Sequence, residues 1–108
     1  MEVISDLGVA IITLTQEELQ RFNFKKGDTE GVVNYALSIK GINVAAFMVE
    51  RDGIIKISFR SKGDISVNQL ARDHFSGGGH INAAGGAAST MEEAKTTFKR
   101  TIPNYIIN

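Results

Sequence analysis

The hydrophobic positions of this chain fall into runs of two kinds. Residues 8–14, GVAIITL, are apolar at nearly every position. Successive strand residues point to opposite faces, so such a run predicts a strand buried on both sides. Residues 42–49, INVAAFMV, predict a second strand of that kind. In residues 54–60, Ile55, Ile57 and Phe59 alternate with Lys56, Ser58 and Arg60. That is the two-residue period of a strand with one face in the core. Asp52-Gly53 between the second and third runs predicts a two-residue hairpin turn. Arg60 then emerges on the polar face, at the C-terminal end of its strand. Ligands favour that end in α/β sheets, most strongly in parallel ones.

Elsewhere the spacing is helical. Thr15 is followed three residues later by Glu18, a capping box, with Leu19 and Phe22 as the inner face. KKGD at 25–28 breaks that helix. Asp28 or Thr29 is the expected cap of a second helix carrying Val33, Ala36 and Leu37, which Gly41 ends. Gly63-Asp64 marks a turn. Ser66 caps a third helix, with Gln69 completing a capping box and Val67, Leu70, Ala71 and Phe75 as the buried stripe. Thr90 with Glu93 opens the last helix, whose inner face is Met91, Ala94, Phe98 and Ile102; Pro103 kinks or ends it. Between the third and last helices lie three glycines, His80 and a run of small residues. A loop is expected there, then a short helical turn from His80 and a short antiparallel or edge strand over Gly86–Ser89. Interleaved strands and helices with one hairpin predict an α/β fold. We expect a single domain over residues 1–108, a mixed β-sheet with helices packed on it.

Composition narrows the function. The 108 residues carry 12 Lys+Arg and 12 Asp+Glu. A domain that grips long nucleic acid by its backbone is usually basic, so any polyanion handled here is small or gripped locally. With no cysteine, thiolate metal sites and disulfides are excluded, and two histidines argue against a His-rich metal centre. No apolar run reaches the roughly 18–20 residues that span a bilayer. The N-terminus lacks the basic and apolar regions of a signal peptide, so we expect a cytoplasmic protein with no membrane partner.

Three groups of residues could carry chemistry. Gly77, Gly78 and Gly79 run directly into His80. Such a loop could turn its amides and imidazole toward a ligand, phosphate being the natural one where glycines open a helix. The competing reading is a tight turn whose glycines only let two elements pack closely. No Lys-Ser/Thr follows, and no GxGxxG is present, so neither a triphosphate loop nor a dinucleotide fingerprint is indicated. Arg60 offers a planar fork for phosphate or a base and Ser61 a short donor, against the alternative of a solvated strand end. Asp73-His74 invites a catalytic reading, but adjacent residues on a helix do not face each other. His74 is expected instead to complement the helix C-terminus. Glu30 and Asn34, four apart on the second helix, face either a cleft or water. Neither a two-metal cluster nor a nucleophile–base arrangement is visible. The pattern is that of a binding half without a catalytic half.

These residues resemble a known family. SFRSKGDISVNQLARDHFSGGGHINAAGG (58–86) and DTEGVVNYALSIKGINVAAF (28–47) are similar to the DHH-associated domain, the C-terminal, substrate-binding lobe of DHH phosphoesterases. The nearest subgroup is the nanoRNases and 3′-phosphoadenosine 5′-phosphate phosphatases, often called exopolyphosphatase-related. The likeness covers roughly residues 1–107. It implies an N-terminal DHH domain of the same protein that binds two manganese ions and activates a water. It also implies that Arg60 and Ser61 contact phosphate and base, and that Gly78, Gly79 and His80 hold the phosphate or terminal nucleotide. Gly77, Asn68, Glu30 and Asn34 fall on recurring positions of less defined role. The Asp-His-His motif is absent, since Phe75 follows His74. The chain alone is therefore expected to be inactive, with no metal or catalytic residue of its own and a short oligoribonucleotide or nucleotide as partner. A homodimer is left open. Rival readings are a stand-alone nucleotide-sensing module, an interaction domain whose glycines only pack, or a piece of a RecJ-type exonuclease, a cyclic-dinucleotide phosphodiesterase or an exopolyphosphatase.

Overall fold

The computed structural model describes residues 1–25 and 27–106. Six strands form one sheet: β1 (Glu2–Ile4), β2 (Val9–Leu14), β3 (Val44–Arg51), β4 (Ile54–Ser61), β5 (Gly78–His80) and β6 (Ala83–Ala88). Their order across the sheet is β1-β2-β3-β4-β6-β5. Only β2–β3 is parallel, joined by a crossover through α1 (Gln16–Arg21) and α2 (Asp28–Ser38); the other four pairings are antiparallel. After β4 come α3 (Val67–His74), the β5–β6 hairpin, α4 (Met91–Thr101) and the single turn α5 (Pro103–Ile106). The α/β expectation with a mixed sheet is met.

Register assigns each side chain to a face. Ile11, Ala46, Phe59 and Ala84 lie opposite one another on successive strands. They join Leu70, Phe75, Phe98 and Ile102 of the α3–α4 side in the main core. Phe59 is ringed by Phe75 and Phe98, with centroids at 5.1 and 5.9 Å. The opposite face begins as a second apolar layer: Ala10 and Ala45 pack under Ala36, and Phe47 and Val49 under Leu19 and Val33. That is why β2 and β3 read as apolar at every position. No residue of β4, β5 or β6 contributes to those clusters. Half of the second face therefore lacks an apolar layer, although α2 still approaches β4 there.

Several local expectations need correction. The segment from His80 is strand rather than helix. Its alanines and glycines have little intrinsic strand preference, and pairing to β4 decides their conformation. β6 therefore runs over Ala83–Ala88, earlier than expected. β1 was not foreseen. Phe22 is 61% exposed because α1 ends at Arg21, whose guanidinium lies 5.1 Å from the Phe22 ring centroid. The capping box at Thr15 and Glu18 is complete. At α3, Ser66 accepts from the Gln69 amide, but the Gln69 side chain donates to Asp73 instead of closing a box. α2 has Gly27 at its cap position and no side-chain cap, since the Asp28 carboxylate turns back to the Lys25 N–H at 2.9 Å. Thr90 caps α4 as expected, and Pro103 ends it by opening α5.

Candidate functional site

The half-face without an apolar layer is built by β4, β6 and β5, with α2 reaching its β4 edge. Arg60 pairs with Ala83, and Ala83 with His80. Directly opposed residues share a face, so His80, Ala83 and Arg60 form one row, with the two cation-capable side chains about 10 Å apart at the backbone, two strand spacings. Ala83 between them is too small to fill the space. His80 is exposed, whereas the Arg60 side chain is only 19% exposed and oriented. Arg60 Nη1 donates to the Phe59 carbonyl at 2.9 Å, and Nη2 is salt-bridged to Glu30 of α2. Glu30 thus sits at the site as the partner of Arg60. Asn34 lies one helical turn further on, exposed.

Ser61 faces the other way. It is 6% exposed, and its hydroxyl donates to the Ile65 carbonyl at 2.6 Å while accepting from Asn82 Nδ2 at 2.9 Å. Asn82 also donates to the Gly63 carbonyl. Ser61 therefore fastens the turn after β4 to the β5–β6 turn. Its side chain and that of Arg60 are not brought together, because neighbours on a strand point to opposite faces.

The three glycines answer to packing. A Cβ on Gly79 would lie 2.6 Å from the Ala83 carbonyl oxygen, and one on Gly77 would overlap the Gly85 carbonyl. Gly78 lies beside Arg72 and Asn68 of α3. The Gly79 N–H donates to Asn68 Oδ1 at 2.8 Å, so that amide is held by α3. β5 is an edge strand, and the expectation of a glycine loop opening a helix toward an anion is corrected accordingly. Asn68, Asn82 and Arg72 were not assigned these parts from sequence. Their partners lie 11 or more residues away in the case of the two asparagines, beyond any local pattern.

Asp73 and His74 serve α5. Asp73 accepts from Tyr105 Oη at 2.7 Å and from Gln69 Nε2 at 2.8 Å. Those bonds, Tyr105's first, hold its carboxyl below the usual range. Burial, and then the bond to Asp73, pushes the Tyr105 hydroxyl up to about 12. The His74 ring meets Tyr105 edge-on, with centroids 6.0 Å apart. Among the described residues no three His, Cys, Asp or Glu side chains gather closely enough to hold a metal ion. The two manganese ions, which the resemblance places in the N-terminal DHH domain, have no ligand set among the described residues.

Fold and site together define a small α/β domain whose open half-face carries an oriented arginine and a histidine. The chain belongs to the DHHA1 domain family, whose model matches residues 6–108. Over 91 residues it is 34% identical to the bifunctional oligoribonuclease and PAP phosphatase NrnA of Bacillus subtilis, covering 84% of this chain and 28% of that protein. It is 32% identical over 93 residues to the probable bifunctional oligoribonuclease and PAP phosphatase NrnA of Streptococcus mutans, covering 85% of this chain and 29% of that one. An exopolyphosphatase-related protein from Bacteroides fragilis superposes with a TM-score of 0.89 at 46% identity, covering 96% of this chain and 31% of that chain. The chain spans under a third of each of these proteins.

Proposed function

We propose that this domain is the substrate-binding lobe of a phosphoesterase acting on short oligoribonucleotides or 3′-phosphoadenosine 5′-phosphate. It receives the phosphate of a terminal nucleotide between Arg60 and His80. The observation that carries this reading is the row His80–Ala83–Arg60 on the open half-face. Two of Arg60's five N–H donors are engaged by Phe59 and Glu30, which fix the fork and leave the others for an anion. His80 supplies a ring N–H from the other side, and Ala83 leaves room between them. Ser61, Asn82 and Asn68 act indirectly, by holding the hairpin that presents His80. The relatives named above support the choice of substrate class. Bond cleavage belongs in this proposal to a DHH lobe N-terminal to this domain, which also holds the two manganese ions.

The test is a titration of this chain with AMP, followed by amide NMR and calorimetry. Shifts are expected at Arg60, His80 and Ala83. Arg60→Gln and His80→Ala are each expected to weaken binding about tenfold or more, the scale of a charged hydrogen bond near 1.5–3 kcal/mol. Unchanged affinity in both variants would overturn the proposal.

A further inference from the structure

A second group of cations lies on the same sheet face, toward the β3–β4 hairpin. Val49 is opposite Lys56 and Arg51 is opposite Ile54. Arg51 and Lys56 are thus diagonal neighbours on the face that carries Arg60. With Thr29, Val49, Ser58 and Gly85 they line a cleft of about 480 Å³. Among the described residues neither cation pairs with a carboxylate, whereas Arg60 is partnered by Glu30. The cleft therefore presents uncompensated positive charge at a surface that Ser58 and Gly85 leave low and that is more apolar than polar. Apolar area with a few placed polar groups is what a nucleotide needs.

We infer that this cleft is a second nucleotide subsite. Arg51 and Lys56 take the phosphate of a further residue of the substrate, and its base lies on Ser58 and Gly85. The inference rests on the reading of the Arg60–His80 end given above. Lys56 is four residues from Arg60 along β4, about 13 Å at the rise of a strand. A mononucleotide phosphate held at Arg60 does not reach Lys56, whereas an oligonucleotide of two or three residues does. The domain thereby grades substrates by length: a mononucleotide uses one end of the face and an oligonucleotide both.

The experiment measures binding of AMP and of 5′-phosphorylated triadenylate by this chain and by the double variant R51Q/K56Q. Both substitutions are on side chains outside the core. Triadenylate is expected to bind about tenfold tighter than AMP, on the scale of one added charged contact, and to shift the amides of Arg51, Lys56 and Gly85 as well as His80. The double variant should bind AMP as before, lose the tenfold gain, and show a shallower salt dependence with triadenylate. Triadenylate binding no tighter than AMP, or a gain that survives in the double variant, overturns the subsite and leaves the Arg60–His80 reading standing. AMP binding that ignores Arg60 and His80 overturns that reading instead. Binding of neither probe overturns both.

Discussion

Gly85 and Gly86 are neighbours in β6, and the register puts them on opposite faces. Gly85 is opposite Ser58 on the open face, while Gly86 is opposite Ile57 on the core face. A Cβ at Gly86 would stand 2.6 Å from Phe75 Cβ, 3.1 Å from the Phe75 carbonyl oxygen and 3.4 Å from Phe59 Cε2. Phe75 Cβ and its carbonyl are fixed to the backbone after α3, and the Phe75 N–H is bonded to Ala71, so neither swings aside. A Cβ at Gly85 would meet only the Ile57 carbonyl oxygen at 3.6 Å, an ordinary contact. Gly86→Ala therefore overpacks the core and is expected to cost about 1–3 kcal/mol. In a domain of about 100 residues that is a fall in Tm of roughly 5–20 °C. Gly85→Ala should leave stability unchanged or raise it by about 0.5–1 kcal/mol, because alanine has less backbone entropy to lose than glycine. Its methyl would instead intrude on the cleft where a longer ligand is proposed to lie, so triadenylate binding should weaken. Urea and thermal unfolding of the two variants, with calorimetry for binding, read both effects. Gly85→Ala as destabilising as Gly86→Ala would refute the assignment of faces, and the site built on it.

Other consequences follow from single hydrogen bonds. Ser61→Ala should cost about 1–3 kcal/mol in urea unfolding, the penalty for leaving buried partners unpaired, since the Ile65 carbonyl and Asn82 Nδ2 both lose the hydroxyl. A stability change within about 0.5 kcal/mol, typical of plain surface substitutions, would contradict the fastening role. Tyr105 keeps its proton in the folded state up to about pH 12, above its ordinary value of 10.0. Its contribution is therefore fully present below pH 10.0 and is lost as pH rises through about 12. Tyr105→Phe should remove that alkaline loss from a pH series of melts, and an unaltered profile would reject the Tyr105–Asp73 bond as its source. Asp73, held low by the same hydroxyl, contributes in the opposite direction: its share is present above its ordinary value of 3.8 and fades as pH falls below it.

Elements specified by local pattern were legible in the sequence. β3 and β2 were found because two apolar layers cover them, so every position had to be apolar. β4 was found because only one of its faces lies in the apolar core, which produced the alternation that marked Arg60. The complete box at Thr15 and Glu18 and the cap at Thr90 are contacts three residues apart, within reach of a motif. Elements specified from a distance were not legible. β1 is three residues long, and Glu2 within it is bridged to Lys99 at the far end of the chain, at 2.7 Å. β6 is AAGGAA, a composition without strand preference that is made strand by β4 on one side and β5 on the other. The glycine–histidine stretch was legible as special, while the reason for its glycines, the nearness of β6 and α3, belongs to the assembled sheet.

The dipeptide Arg60-Ser61 shows that neighbours in a sequence need not share a surface in the fold. In the sequence the two form one polar unit at a strand end. In the sheet they are separated by the pleat: Arg60 lies over the open half-face, and Ser61 is buried beneath the turns. The division has a consequence for His80. The backbone N–H of Ser61 donates to the Asn82 carbonyl, its hydroxyl accepts from the Asn82 amide, and the Val67 N–H donates to the Ile81 carbonyl. These bonds tie the two residues immediately after His80 to the end of the strand that carries Arg60 and to the start of α3. The distance between the two proposed phosphate contacts is therefore set from the buried side of the sheet, by groups that need never touch the ligand. Polar residues of both kinds belong at this strand end, since an open face can present charges at a fixed separation only if its far side is fastened.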